Sequence, residues 1–258
     1  MIKQSQLTNF VALMHNDPNH WFENWFDTSY YHTLYNKRND LEASQFLEFL
    51  IDFLNPKLSA AFLDLACGKG RHSIYLNKKG FNVTGVDLSA NSIQFAQKYS
   101  TPSLKFEIHD MRQLFKAHAF DYVLSLFTSF GYFSDPNEDK LVIKNVKENL
   151  KPDGIFVLDY FNAAKPNLNF NHPFTKSIAG VQFDIFKRIE GDRIIKEIQV
   201  TDNQTVYKYS EQVRIYTRER LTQIIEEVGL KVVNVFGSYA LEPYDELTCD
   251  RLIIIAKN

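Results

Sequence analysis

The sequence predicts a doubly wound α/β fold, preceded by an aromatic helical arm and interrupted late in the chain by an antiparallel meander. Three observations carry this. Short apolar runs at 61–65, 82–86, 104–108 and 119–127 alternate with helix-like segments, the rhythm of parallel strands and their crossovers. Three acids, Asp64, Asp87 and Asp110, stand at or just past the ends of the first three runs, 23 residues apart. Between 165 and 216 the pattern changes to period-two alternation broken by turn residues.

The 258 residues suffice for one large α/β domain plus an elaboration. Hydrophobic residues make up 45%, charged residues 23%, and the formal net charge is −2. That balance argues against a general electrostatic grip on nucleic acid, which favours a basic domain. No run approaches the ~20 apolar residues of a membrane span, and MIKQSQLTNF lacks a signal-peptide core. Cys67 and Cys249 form neither a metal spacing nor a disulfide framework, so the expected compartment is a reducing cytoplasm. The 22 Phe and 13 Tyr exceed what a core of this size requires.

Residues 1–39 form the arm. Within it Trp21/Phe22, Trp25/Phe26, Tyr30/Tyr31 and Tyr35 recur at close to helical spacing and give one apolar face. Asp40 caps a helix to Leu54 with Ala43, Leu47, Leu50 and Leu54 on one side, stopped by Asn55-Pro56. The first strand follows, then a glycine loop and a helix to Lys79 closed by Gly80. Ser89 starts the next helix, with Ile93, Ala96 and Tyr99 inward. The run at 119–127 is apolar throughout, as a strand buried on both faces must be. Asp135-Pro136 opens a helix to Leu150, and Lys151-Pro152-Asp153-Gly154 turns into a strand at 155–161. Runs at 181–189, 193–200 and 206–215 make the meander. Thr217 caps a helix carrying Leu221, Ile224, Ile225 and Val228, ended by Gly229, and strands at 230–236 and 251–257 finish the sheet. The main domain is therefore 40–164 with 217–258, and the insertion is 165–216.

AFLDLACGKGRHS (61–73) is the chemical centre: a strand, a small-residue loop and a helix start. Glycine lets backbone approach a ligand, and the first helical turn presents unpaired N–H groups. A P-loop needs Gly-Lys-Ser/Thr, but Lys69 is followed by Gly70 and Arg71. The dinucleotide fingerprint needs a third glycine where Ser73 stands. An acid before the loop, hh(D/E)hGxGxG, fits Asp64-Leu65-Ala66-Cys67-Gly68-Lys69-Gly70, with Ala66 replacing the first glycine. In any doubly wound fold an acid at the second strand tip can accept both ribose hydroxyls, the place of Asp87.

This arrangement resembles motif I and its companion acids in the class I S-adenosylmethionine-dependent methyltransferases of small-molecule type. The phrase NLKPDGIFVLD (149–159) is also similar to that family. The resemblance implies a seven-stranded, mostly parallel sheet in the order 3-2-1-4-5-7-6. It implies S-adenosylmethionine as cofactor and S-adenosylhomocysteine as product, held by Tyr35, Arg38, Asp64, Ala66, Cys67, Gly68, Gly70, Asp87, Leu88, Asp110, Met111 and Leu126. Asp110 would face the adenine amino group with Met111 near the ring, and Tyr35 and Arg38 would reach the methionine carboxylate.

TSFGYF (128–133) occupies the motif IV region and lacks the Asn/Asp-Pro-Pro-Tyr signature of amide and DNA-adenine methyltransferases. Tyr31, Phe130, Tyr132 and Tyr160 are the candidate acceptor residues, and the ring faces of Tyr30, Tyr31, Phe130 and Tyr132 favour an amine through cation–π attraction. His20, His72 and Asp159 are the candidate bases; none is assigned as catalytic. The insertion reads as a lid, with a dimerisation sheet as the competing reading. The expected reaction is direct methyl transfer to a small-molecule acceptor, without metal, membrane or nucleic acid. Methylation of RNA or protein, adenosyl binding without turnover, and NAD-dependent dehydrogenation are the alternatives.

Overall fold

Local capping signals decide where the first helices begin and end. The structure, a computed structural model, describes residues 21–35, 40–165 and 173–258. The aromatic stretch forms two helices rather than one, α1 (Trp21–Phe26) and α2 (Ser29–Leu34). Thr28 divides them: its backbone is extended, and its hydroxyl accepts the Tyr31 N–H at 3.0 Å, capping a new helix. Next comes α3 (Asp40–Leu54), which buries Ala43, Phe46, Leu47 and Leu50. Asn55, at φ 45° and followed by Pro56, ends it.

The α/β rhythm then proceeds as β1 (Ala61–Leu65), α4 (Arg71–Lys78), β2 (Asn82–Asp87) and α5 (Ala90–Ala96). Ser89 caps α5 by accepting the Ser92 N–H at 3.1 Å. Tyr99 does not face inward as its spacing predicts. The helix tightens into a 3-10 turn at Gln97–Tyr99, which changes the angle between successive side chains. Tyr99 is swung outward, 48% exposed. Strands β3 (Leu104–Ile108) and β4 (Phe120–Ser125) lead to α6 (Pro136–Asn149), capped by Asp135 on the Asn137 N–H. The following strand begins earlier than predicted. β5 spans Leu150–Phe161, and Asp153, at φ 62°, kinks it instead of preceding it.

The meander has four strands, not three: β6 (Phe174–Ile178), β7 (Val181–Glu190), β8 (Arg193–Asp202) and β9 (Thr205–Arg214). β6 is an exposed edge strand that buries none of its residues, so it lacks the alternation by which its neighbours are recognised. Two of the meander's hairpin turns place both central residues in the left-handed region, Ala179-Gly180 and Asn203-Gln204, the twist that two-residue hairpins need. α7 (Arg218–Glu227), β10 (Lys231–Phe236) and β11 (Arg251–Lys257) complete the chain.

The larger sheet runs β10-β11-β5-β4-β1-β2-β3. Strands β1 to β5 are mutually parallel, and β11 is antiparallel to both β5 and β10. Numbered within the sheet this is 3-2-1-4-5-7-6, the predicted order. Its central strands are almost wholly buried: Leu63, Val123, Leu124, Phe156, Val157 and Leu158 each have 0% exposure.

The chain divides into two units, Arg38–Leu168 with Ile215–Asn258, and Met1–Lys37 with Asn169–Arg214. The arm and the meander, distinct in sequence, thus belong together. Within their unit Trp25 packs on Tyr209 with ring centroids 4.7 Å apart and donates from Nε1 to Glu211 at 2.8 Å. Tyr30 donates to Asp202 at 2.9 Å and lies 5.3 Å from the Tyr207 ring.

Candidate active site

The loop after β1 is built from three left-handed residues: Ala66 at φ 56°, Gly68 at φ 56° and Gly70 at φ 82°. Ala66 therefore occupies a conformation natural to the glycine it replaces, one that an L side chain rarely adopts. The two glycines serve different ends. A Cβ on Gly68 would meet nothing within 4 Å, leaving its backbone open to a ligand. A Cβ on Gly70 would lie 2.6 Å from the Phe106 ring of β3, so that glycine is required by packing. The same ring would meet a Cβ on Gly85 of β2 at 2.8 Å. Phe106 is thus wedged between the loop and the second strand.

Asp64 is 1% exposed and accepts the Ser73 hydroxyl at 2.6 Å, tying β1 to α4 beneath the loop. Burial pushes its carboxyl up to about 7; the Ser73 hydrogen bond opposes this and the Asp87 charge adds to it. Cys67 is 7% exposed, and its thiol is pushed well up by burial, with the Asp64 and Asp87 charges acting the same way. It is no nucleophile. Asp87 accepts N–H groups at both oxygens, from Gly68 and from Ser89, each at 2.8 Å. The second strand's acid consequently sets the shape of the first strand's loop. Leu88, beside it, is 37% exposed.

Asp110 is gripped by Arg112. The guanidinium donates from Nε to both carboxylate oxygens at 3.1 and 3.0 Å and from Nη2 at 2.6 Å. Arg112 also reaches Glu138 at 2.8 Å and lies over the Phe133 ring at 4.8 Å. Burial raises the Asp110 carboxyl, but the Arg112 hydrogen bonds and charge outweigh it and hold the group below the usual carboxylate range. The Met111 carbonyl accepts from Asn145 at 3.2 Å. No sequence signal beyond the two-residue spacing pointed to Arg112.

At the tip of β4 Leu126 is buried, and the next two residues, Phe127 and Thr128, are left-handed at φ 57° and 62°. The Phe127 ring stacks between His72 (5.0 Å, 24°) and Tyr239 (5.1 Å, 29°), with the Arg71 guanidinium 4.8 Å from its centroid. Asp159 is 0% exposed and pairs with Arg251. Burial raises its carboxyl despite the Arg251 charge. Sequence reasoning singled out neither Phe127 nor Arg251.

The aromatic candidates diverge. Phe130 and Tyr160 are 1% and 0% exposed and pack with Tyr216, whose hydroxyl donates to Asp139 at 2.8 Å. The Tyr132 hydroxyl donates to the Thr128 carbonyl, closing the loop on itself. Tyr31 and Tyr35 are in the arm–meander unit. There Tyr35 donates to Glu211 at 2.6 Å, and Lys196 lies over its ring at 4.6 Å. Arg38 and His20 fall outside the described residues. Among the described residues no group of three or more His, Cys, Asp or Glu is arranged to hold a metal, and no helix is long and apolar enough to cross a membrane.

The strand order is that of a methyltransferase fold, and the acid-flanked loop is similar to motif I of the class I methyltransferases. Residues 62–154 match the family described as a methyltransferase domain. It is similar to YqeM of Bacillus subtilis (strain 168), a protein named as a methyltransferase, with 40% identity over 106 residues, 40% of this chain and 43% of that one. It is also similar to dTDP-3-amino-3,4,6-trideoxy-alpha-D-glucopyranose N,N-dimethyltransferase of Streptomyces venezuelae, 30% identical over 101 residues, 39% of this chain and 42% of that one. The chain therefore spans less than half the length of these two relatives. A solved S-adenosylmethionine-dependent methyltransferase from Clostridium acetobutylicum shares the fold at TM-score 0.75 and 22% identity, covering 88% of this chain and 95% of that one.

Proposed function

We propose that this chain is an S-adenosylmethionine-dependent methyltransferase that transfers the methyl group to an amine of a small molecule. The observation that carries the reading is the left-handed loop with Gly68 open, flanked by Asp64, Asp87 and Asp110 at successive strand ends. The donor set suits an adenosyl ligand. Asp87 stands at the tip of β2 and accepts the Gly68 and Ser89 N–H groups, and a carboxylate in that place suits ribose hydroxyls as an acceptor. Asp110, oriented by Arg112, offers a carboxylate to an adenine amino group, and the unfilled space at Gly68 lets the ligand approach the backbone.

When bound, the cofactor supplies a methyl carbon on a positively charged sulfur, already electrophilic. Asp87 and Asp110 would hold the adenosyl group, and an amine placed in line with that carbon would accept the methyl group. The protein's task is to align the reactants and exclude water. No side chain is assigned as base: a methylated amine releases its proton to water, and Asp159 already accepts four hydrogen-bond donors. The similar sugar N,N-dimethyltransferase supports an amine acceptor. Cys67 and Cys249 are both free thiols, which suits a reducing cytoplasm.

Calorimetric titration with S-adenosylmethionine, S-adenosylhomocysteine and NAD tests the reading, on the native chain and on Asp87→Ala. Binding of both adenosyl ligands, weakened at least about tenfold in Asp87→Ala by loss of a charged acceptor, is the expected result. Preference for NAD, or no binding of either adenosyl ligand, overturns it.

A further inference from the structure

Asp159 and Arg251 form a buried ion pair for which the proposed methyl transfer has no direct use. Arg251, the first residue of β11, donates from Nε and Nη2 to Asp159 Oδ1 at 2.8 and 2.6 Å; the two side chains are 18% and 0% exposed. The other carboxylate oxygen accepts the Phe127 N–H at 2.7 Å and the Tyr239 hydroxyl at 3.3 Å. The Thr128 N–H donates to the Asp159 carbonyl at 3.0 Å, and the Thr128 hydroxyl accepts Arg251 Nη2 at 3.0 Å. One pair therefore holds two consecutive residues by backbone and side chain together.

Those two residues need holding. Phe127 and Thr128 are both left-handed, a conformation disfavoured for any L side chain and more so for β-branched threonine. Such backbone persists only where its surroundings over-determine it, and such sites cluster at ligand clamps. The Phe127 ring is fixed as well, between His72 of the helix that follows the glycine loop and Tyr239 of the loop after β10. Arg251 in turn lies over the Tyr239 ring at 5.3 Å.

We infer that the Asp159–Arg251 pair is the positioning element of the β4 tip, holding Leu126–Thr128 in the shape that an adenosyl ligand requires. The inference rests on the S-adenosylmethionine reading and goes beyond it: a charge pair on the two strands beyond β4 sets the geometry of the cofactor edge. Asp159 and Arg251 are positioning residues, acting through the loop.

The test uses the full chain carrying Asp159→Leu with Arg251→Met. The double change leaves no buried charge unpaired, and buried pairs replaced by apolar groups often keep or gain stability. Arg251→Lys, which keeps the charge but loses the planar fork, is the second variant and decides the matter if the first does not fold. Two quantities are read: amide exchange at Phe127 by NMR, and S-adenosylhomocysteine affinity by calorimetry. In the double variant, with a cooperative melt retained, exchange at Phe127 is at least about tenfold faster and the dissociation constant at least about tenfold higher, the loss of one charge-assisted hydrogen bond. In Arg251→Lys both quantities move in the same directions. Native exchange or native affinity in a folded variant overturns the inference. If the native chain binds no adenosyl ligand, the cofactor reading fails by itself, and with it the ligand part of the inference; the exchange rates then decide whether the pair holds the loop.

Discussion

Gly70→Ala isolates how the glycine loop is packed. Gly70 sits at φ 82°, and its added Cβ would lie 2.6 Å from two atoms of the Phe106 ring and 3.3 Å from the Ala96 Cβ. The ring is close-packed there, since a Cβ placed on Gly85 would also meet it at 2.8 Å. Left-handed backbone costs an L residue about 1–2 kcal/mol. Overpacking adds about 1–3 kcal/mol. The stiffer unfolded chain returns about 0.4–1 kcal/mol. The net destabilisation is about 1–5 kcal/mol, where each kcal/mol lowers the melting midpoint of a domain of this size by about 2–4 °C. Gly68→Ala is the matched control: φ is 56° and nothing lies within 4 Å, so only the strain applies. Thermal melts of both variants, followed by circular dichroism, measure the difference. Gly70→Ala melting no lower than Gly68→Ala would refute the idea that Phe106 is wedged against the loop. Gly68→Ala should instead show its main loss in S-adenosylhomocysteine binding, since its methyl group enters the space left for the ligand.

Two further outcomes follow from the charges. Asp64 has its carboxyl raised from the ordinary 3.8 to about 7, so folding favours its protonated form. Its contribution to stability is full below about pH 4 and is lost as pH rises through about 7. The native chain should therefore lose melting temperature relative to Asp64→Asn between pH 5 and pH 8, and a pH-independent gap would contradict the assignment. In the arm–meander unit Glu211 accepts from Trp25, Tyr35 and Lys196, the last at 3.1 Å. Glu211→Leu leaves the largely buried Lys196 without its carboxylate and should destabilise that unit by about 3 kcal/mol. Limited proteolysis within 21–35 should accelerate at least tenfold (about 1.4 kcal/mol) as the local opening free energy falls; an unchanged cleavage rate would count against the Glu211 anchor.

Most of the larger sheet was legible in the sequence because each of its signals is local. An apolar run ending in an acid, a glycine loop and a capping serine act over a few residues, and Asp64, Gly68, Gly70, Asp87 and Ser89 stand where those rules put them. The seven-strand order came from the family resemblance and agrees with the observed sheet. Local rules also explain the misses. β6 buries nothing and so has no alternation, Tyr99 follows a change of helical period, and Thr28 is a cap inside an aromatic run.

By itself the sequence determined the strands of the larger sheet and the places of the three acids, since those depend on neighbours along the chain. Only the tertiary structure decided what each acid is joined to. Arg112 joins Asp110 to Glu138, Asp87 shapes the loop of another strand, and Asp159 meets an arginine 92 residues away that in turn holds the tip of β4. The Asp159–Arg251 pair forms because the antiparallel pairing of β5 with β11 brings two distant side chains within a few ångströms. Their partners are set by strand register, a property no single stretch of sequence contains.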